Sequence, residues 1–190
     1  MNTTREQIIE TTCELLETYG YHATGLNQIL AKSRTPKGSL YYYFPEGKEE
    51  LTAQAIERMG RHVAQSIKSE LSRIADPSEA IRSFVHILAH RVEASGFCAG
   101  GPLMIVAMET ATSSERLNLA CREAYRLLQQ AYHEQLIAGG FTEVQASQLA
   151  TFITASIEGG IILSRTSHSG DPLRNVAEML GFLLNSYPRD

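Results

Sequence analysis

A chain of 190 residues with 43% hydrophobic and 20% charged side chains can bury one good core or two small ones, as an ordinary globular protein does. Met1 to Glu10 is polar, and no uninterrupted apolar run approaches the roughly 18 residues of a membrane helix, so the expectation is a cytoplasmic protein without secretory signal or membrane partner. A net charge of −4 excludes a generally basic nucleic-acid coat, and three scattered cysteines, Cys13, Cys98 and Cys121, suit reduced thiols better than a disulfide framework or zinc cage.

In chain order, Ile8, Ile9, Thr12, Leu15, Leu16 and Tyr19 recur at helical spacing behind the caps Thr3 and Thr4 and ahead of a stopping Gly20. Thr24 can cap a short second helix that buries Leu26, Ile29 and Leu30, and Ser33 to Thr35 breaks the pattern. Thr35 reads as an N-cap with Pro36 in the first helical position, where its missing N–H costs nothing, and a third short helix ends at Phe44-Pro45. A long amphipathic helix follows from near Lys48, through Leu51, Ala55, Met59, Val63, Ile67 and Leu71, until Asp76-Pro77. Further helices are predicted over about 78–94, 103–111, 114–138, 143–166 and 172–187, with breaks at Gly96 to Pro102, Gly139-Gly140 and Ser167 to Pro172. No segment alternates with period two. The predicted fold is all-α.

Two short helices joined by a tight turn, the second opening on a cap and basic residues, suit the DNA major groove, which is about 12 Å wide and admits one helix. The charge agrees: Lys32, Arg34, Lys37 and Lys48 against Glu46 give residues 24–48 a balance of +3, leaving −7 for the remainder. In the third helix Leu40 and Phe44, four apart, face inward, so Lys37, Ser39, Tyr42 and Tyr43 face outward, and Gly38 allows close approach of the backbone to DNA. The helix N-termini at Thr24 and near Lys48 offer N–H groups and positive dipole to phosphates. Four adjacent aromatics, Tyr41 to Phe44, cannot all point inward from one helix.

Gly20-Tyr21, Thr24, Ile29, Gly38-Ser39-Leu40-Tyr41-Tyr42-Tyr43-Phe44 and Lys48-Glu49-Glu50-Leu51 closely resemble the DNA-binding domain of the TetR/AcrR repressor family. The run Pro36 to Pro45 with Gly47-Lys48-Glu49 resembles the LmrA/YxaF-type branch, and weaker resemblance continues through Cys98 to Glu109 and Glu158-Gly159 to Arg165. The resemblance implies a three-helix DNA-binding domain over 1–48 and a helical ligand-binding and dimerisation domain over 49–190. It implies phosphate contacts from Thr24, Tyr41, Tyr43 and Lys48, with Lys37, Ser39 and Tyr42 nearest the base edges; Thr35 and Gly38 complete the expected DNA-binding set. There are two departures from the family pattern: Ser33-Arg34-Thr35 replaces its usual Ala-Gly-Val, and Tyr43 stands where it often has histidine. Arg34 at the glycine position implies either a backbone that is not left-handed or modest strain.

The stretch 149–164 is apolar on nearly every side and must be buried all round, and the last helix carries Val176, Met179, Leu180, Leu183 and Leu184. Such surplus apolar surface points to a homodimer in which the last two helices pack against their copies, the arrangement the resemblance also implies. Gly159 and Gly160 are expected at that interface. Phe84, Leu88, Phe97, Met104, Met108, Cys121, Tyr125 and Phe152 are candidate walls of a cavity for an apolar or aromatic effector, with Glu109 and Tyr125 as polar anchors. No cofactor or metal is expected. Gly47-Lys48 lacks the phosphate-loop pattern, and His86 and His90 lack the glutamate of a zinc peptidase. The function read here is therefore a ligand-responsive repressor of a double-stranded palindromic operator and not an enzyme; the alternative is a helical enzyme using Cys98, His86 and His90.

Overall fold

The computed structural model describes residues 3–98 and 100–188, and among the described residues it holds nine α-helices and no strand. They are α1 (Thr4–Ala23), α2 (Leu26–Ser33), α3 (Lys37–Tyr43), α4 (Lys48–Leu71), α5 (Pro77–Ala94), α6 (Pro102–Thr110), α7 (Glu115–Ala138), α8 (Glu143–Ser167) and α9 (Asp171–Ser186). The all-α expectation holds, and the loop expected over 96–102 is described at every backbone position but Ala99.

Helices α1, α5 and α8 are among those that begin where the sequence supplies a side-chain oxygen for an orphan amide. Thr3 accepts from Glu6 N–H while the Glu6 carboxylate accepts from Thr3 N–H, Thr142 and Gln145 repeat the arrangement, and Asp76 accepts from Glu79 N–H ahead of Pro77. The Thr3 N–H holds the Glu6 carboxyl below its ordinary pKa. Gly20 leaves helical geometry at φ 76, so the regular part of α1 stops there as the sequence indicates.

The chain packs as two compact units. The first comprises Met1–Arg61 with Gly101–Tyr125, the second His62–Gly100 with Arg126–Asp190. These cuts fall within α4, between α5 and α6, and within α7, and they differ from the functional division expected at residue 48. In the first unit α1 packs on α2, α3 and α6 around Ile8, Leu16, Ile29, Leu40, Phe44, Leu51 and Leu103. In the second α5, α8 and α9 pack together around Ile81, Val85, Ile153, Leu173 and Leu184. Phe84 meets Tyr132 edge to face with ring centroids 6.2 Å apart, the favoured aromatic geometry.

Helix α8 is long and apolar enough to cross a membrane by length and composition, with a mean hydropathy of 1.3, contrary to the expectation drawn from uninterrupted runs. Its Thr, Ser and Gly residues interrupt the run without lowering the average far, and 44% of that window is buried inside the chain.

Candidate nucleic-acid interface

The third helix turns the expected face inward. Leu40 and Phe44 are fully buried, while Lys37, Gly38, Tyr41 and Tyr42 are exposed and Ser39 and Tyr43 half-buried. Tyr42 is 79% exposed, and a Cβ placed on Gly38 would meet nothing within 4 Å, so neither residue is dictated by the packing of the chain itself. Lys37 Nζ lies 5.9 Å from the Tyr41 ring centroid, and the Tyr42 and Tyr43 rings meet edge to face at 5.0 Å. No side-chain cap closes α2 or α3, whose N-caps are Gly25 and Pro36, so their leading amides keep no side-chain acceptor.

Two expected caps are corrected by this geometry. Gly25, not Thr24, is the N-cap of α2, and Thr24 is only 1% exposed. Its hydroxyl donates to Gly20 O at 2.7 Å and its N–H to Tyr21 O at 3.3 Å, so both donors are used inside the chain and neither is left for a phosphate. Likewise Pro36, not Thr35, is the N-cap of α3. Thr35 instead shares a 2.7 Å hydroxyl contact with Ser33, whose carbonyl accepts Gln7 Nε2 at 2.9 Å, fixing the turn to α1. Arg34 takes the left-handed conformation, φ 54 and ψ 36, the strained one of the two alternatives, and its N–H closes on Leu30 O.

Lys48 opens α4 half-buried, its Nζ 2.7 Å from Tyr21 O and 4.2 Å from the Tyr21 ring centroid. Partial burial pulls the ammonium pKa down and the Glu109 charge opposes that shift. Two of its three donors remain available beyond the Tyr21 bond. Of the other charges in the basic segment, Lys32 pairs with Glu14 at 2.9 Å and Glu46 with Arg116 at 2.5 Å.

The expected ligand-site residues divide between the units: Met104, Met108, Glu109, Cys121 and Tyr125 lie in the first, Phe84, Leu88, Phe97 and Phe152 in the second. Three of them are corrected. Met108 is 76% exposed in the chain, which helical period could not indicate because α6 is apolar along most of its length. Phe152 is half exposed, on the side of α8 that also carries Ile162 and Leu163. The Glu109 carboxylate is already engaged within the chain, its Oε2 accepting from Tyr21 N–H at 2.5 Å and His22 N–H at 3.1 Å. Phe97 has φ 63, its carbonyl accepts Arg165 Nε at 3.1 Å and its ring meets His168 at 5.3 Å. Phe84 and Cys121 are buried, and burial pushes the Cys121 thiol up to about 11; Leu88, Met104 and Tyr125 are half-buried.

Within the second unit α8 and α9 leave apolar side chains in solvent: Ile162, Leu163, Met179 and Phe182, the last 71% exposed. Phe182 was missed in the sequence, although its spacing three residues after Met179 is the helical signal. The adjacent glycines separate: a Cβ on Gly160 would stand 2.9 Å from Leu173 and 3.2 Å from Val176 of the same chain, whereas one on Gly159 meets nothing within 4 Å. Gly160 thus serves the packing of α8 on α9, which corrects its expected place at a contact between copies.

The residues of the alternative enzyme reading have separate neighbours. His86 Nε2 lies 2.7 Å from Glu178, His90 3.7 Å from Glu93, and the Cys98 thiol donates to Gly96 O at 3.6 Å.

Comparison with known proteins agrees with this geometry. Residues 8–55 match the family of bacterial regulatory proteins called tetR, and residues 77–179 match the C-terminal domain of LmrA/YxaF-like transcriptional regulators. The chain is similar to the uncharacterized HTH-type transcriptional regulator YxaF of Bacillus subtilis, 40% identical over 95% of this chain and 94% of that protein. It is 38% identical to the HTH-type transcriptional regulator LmrA of the same organism, over 95% and 96% of the two chains. A TetR transcriptional regulator from Legionella pneumophila shares the fold with a TM-score of 0.83 at 20% identity, covering 96% of this chain and 98% of that one.

Proposed function

This chain belongs to the TetR family of bacterial regulatory proteins and carries an LmrA/YxaF-like C-terminal domain, and from that premise we propose that it is a homodimeric repressor released from a palindromic operator by a small apolar or aromatic molecule. The observation that carries the reading is the outer face of α3, where Lys37, Gly38, Tyr41 and Tyr42 are exposed and a Cβ on Gly38 would meet nothing within 4 Å. Lys37, Ser39 and Tyr42 meet base edges in this reading. Tyr41, Tyr43, Lys48 and the uncapped amides that open α2 meet phosphates. Its place of action is the cytoplasm, where the DNA is, and it performs no catalysis.

Dimerisation through α8 and α9 is supported by the exposed Phe152, Ile162, Leu163, Met179 and Phe182 and by the open space at Gly159. Effector binding draws support from the buried aromatic pair Phe84 and Tyr132 with Leu88 in the second unit, an environment suited to an aromatic guest. Effector and operator would each weaken the other by the same factor.

Selection of duplexes from a random pool by the full-length protein tests the reading. The expected result is a palindrome with half-sites about one helical turn apart, bound with strong salt dependence and released by an aromatic compound found in a binding screen. Enrichment of no sequence would reject it.

A further inference from the structure

Glu109 stands on α6, 88 positions along the chain from Tyr21, yet its Oε2 holds the N–H groups of Tyr21 and His22 at 2.5 and 3.1 Å. These are the two amides directly after the backbone of α1 leaves helical geometry at Gly20. Space for the carboxylate is itself built in. A Cβ on Gly20 would fall 2.7 Å from Glu109 Oε1, 2.8 Å from Oε2 and 2.7 Å from Ile105.

The held residues reach the DNA-reading elements from their other side. Tyr21 O accepts Lys48 Nζ at 2.7 Å and Thr24 N–H at 3.3 Å, and Gly20 O accepts the Thr24 hydroxyl at 2.7 Å. Lys48 is the first residue of α4, and Thr24 lies one residue before the N-cap of α2. The chain just past α6 grips the same region again: the Ser114 hydroxyl donates to Glu49, and Arg116 pairs with Glu46 at 2.5 Å.

We propose that Glu109 is a positioning residue for DNA recognition: a carboxylate latch on α6 that touches no DNA and fixes, through residues 20–24, where α2 and the Lys48 ammonium stand. The proposal rests on the reading that α3 faces DNA. It makes a prediction of unusual sign. An acidic side chain repels a polyanion, so removing its charge should by itself tighten DNA binding. Removing a latch should loosen the binding of a selected sequence instead.

The test uses the full-length protein as wild type, Glu109→Ala and Glu109→Gln, with two probes: the duplex selected by the wild type from a random pool and an unselected random duplex. Amide hydrogen exchange at Tyr21 and His22 is measured without DNA. In Glu109→Ala both amides should lose protection and binding of the selected duplex should fall roughly tenfold, the scale of a lost charge-assisted hydrogen bond. Binding of the random duplex should hold or tighten. Glu109→Gln keeps an acceptor oxygen and should retain most of the preference for the selected duplex. A general loss of fold would weaken both duplexes alike, so a Glu109→Ala variant with an unchanged ratio overturns the proposal, as do unchanged exchange rates at Tyr21 and His22. A wild type that enriches no duplex overturns the functional reading, whereas slow amides in Glu109→Ala overturn the latch alone.

Discussion

Helix α3 and the α8–α9 pair each leave side chains in solvent that a lone chain does not cover, and the two exposed sets differ in chemistry. On α3 they are an ammonium, phenols and a bare stretch of backbone at Gly38; on α8 and α9 they are Phe152, Ile162, Leu163, Met179 and Phe182. The first set suits a charged, hydrated partner whose grip weakens with salt. The second suits a dry one, and a second copy of the same surface is its simplest complement. Exposure alone therefore says little about a partner, and the chemistry of what is exposed says a good deal.

The sharpest way to break this contrast is to put a charge on the apolar side. Phe182→Asp should bury an unpaired carboxylate in the dimer at a cost of about 3–5 kcal/mol, giving monomers in sedimentation and loss of operator binding along with them. An intact dimer would move the interface away from α9. Next comes the glycine pair. Gly160→Leu should lower the stability of each chain by about 1–3 kcal/mol, seen in thermal or denaturant unfolding, because Leu173 and Val176 occupy the space its side chain needs. Gly159→Leu should spare the chain and weaken the dimer, and equal effects of both would dissolve the distinction.

On the polar side the effects are smaller. Lys48→Ala should weaken binding to every sequence and lower the salt slope by about 1, because the variant neutralises one phosphate fewer. Tyr42→Ala should leave stability within about 0.5 kcal/mol and change the selected sequence; an unaltered selection profile would assign Tyr42 to the DNA backbone. Smallest is Arg34→Gly, which relieves a left-handed arginine and should raise stability by about 0.5–1 kcal/mol in a denaturant titration. No gain would mean that the turn holds Arg34 without strain.

What could be read in advance follows from the range of the forces involved. The inward Leu40 and Phe44, the outward Tyr42 and the stop at Gly20 are local consequences of helical period and backbone freedom, and the chain shows each of them. Thr24 misled because a threonine before a helix looks like a cap, while here Gly20 O lies within reach of its hydroxyl. The side chains of Met108 and Phe152 point where no period could tell, since a helix that is apolar all round carries no phase. Gly159 and Gly160 differ by one step of about 100° around the axis, and only the position of α9 decides which of them is crowded. The hydrogen bond between Glu109 and Tyr21 joins segments 88 positions apart, and nothing local announces it.

The empty space beside Gly38 sets stability against use. Inside a helix alanine is preferred over glycine by up to about 1 kcal/mol, and here no neighbour within 4 Å would resist the added methyl. A laboratory screen that rewards thermal resistance alone would thus favour Gly38→Ala, and would do so on the surface that the proposed function sets against DNA. Variants chosen for robustness would be the ones most in need of a check that they still recognise DNA.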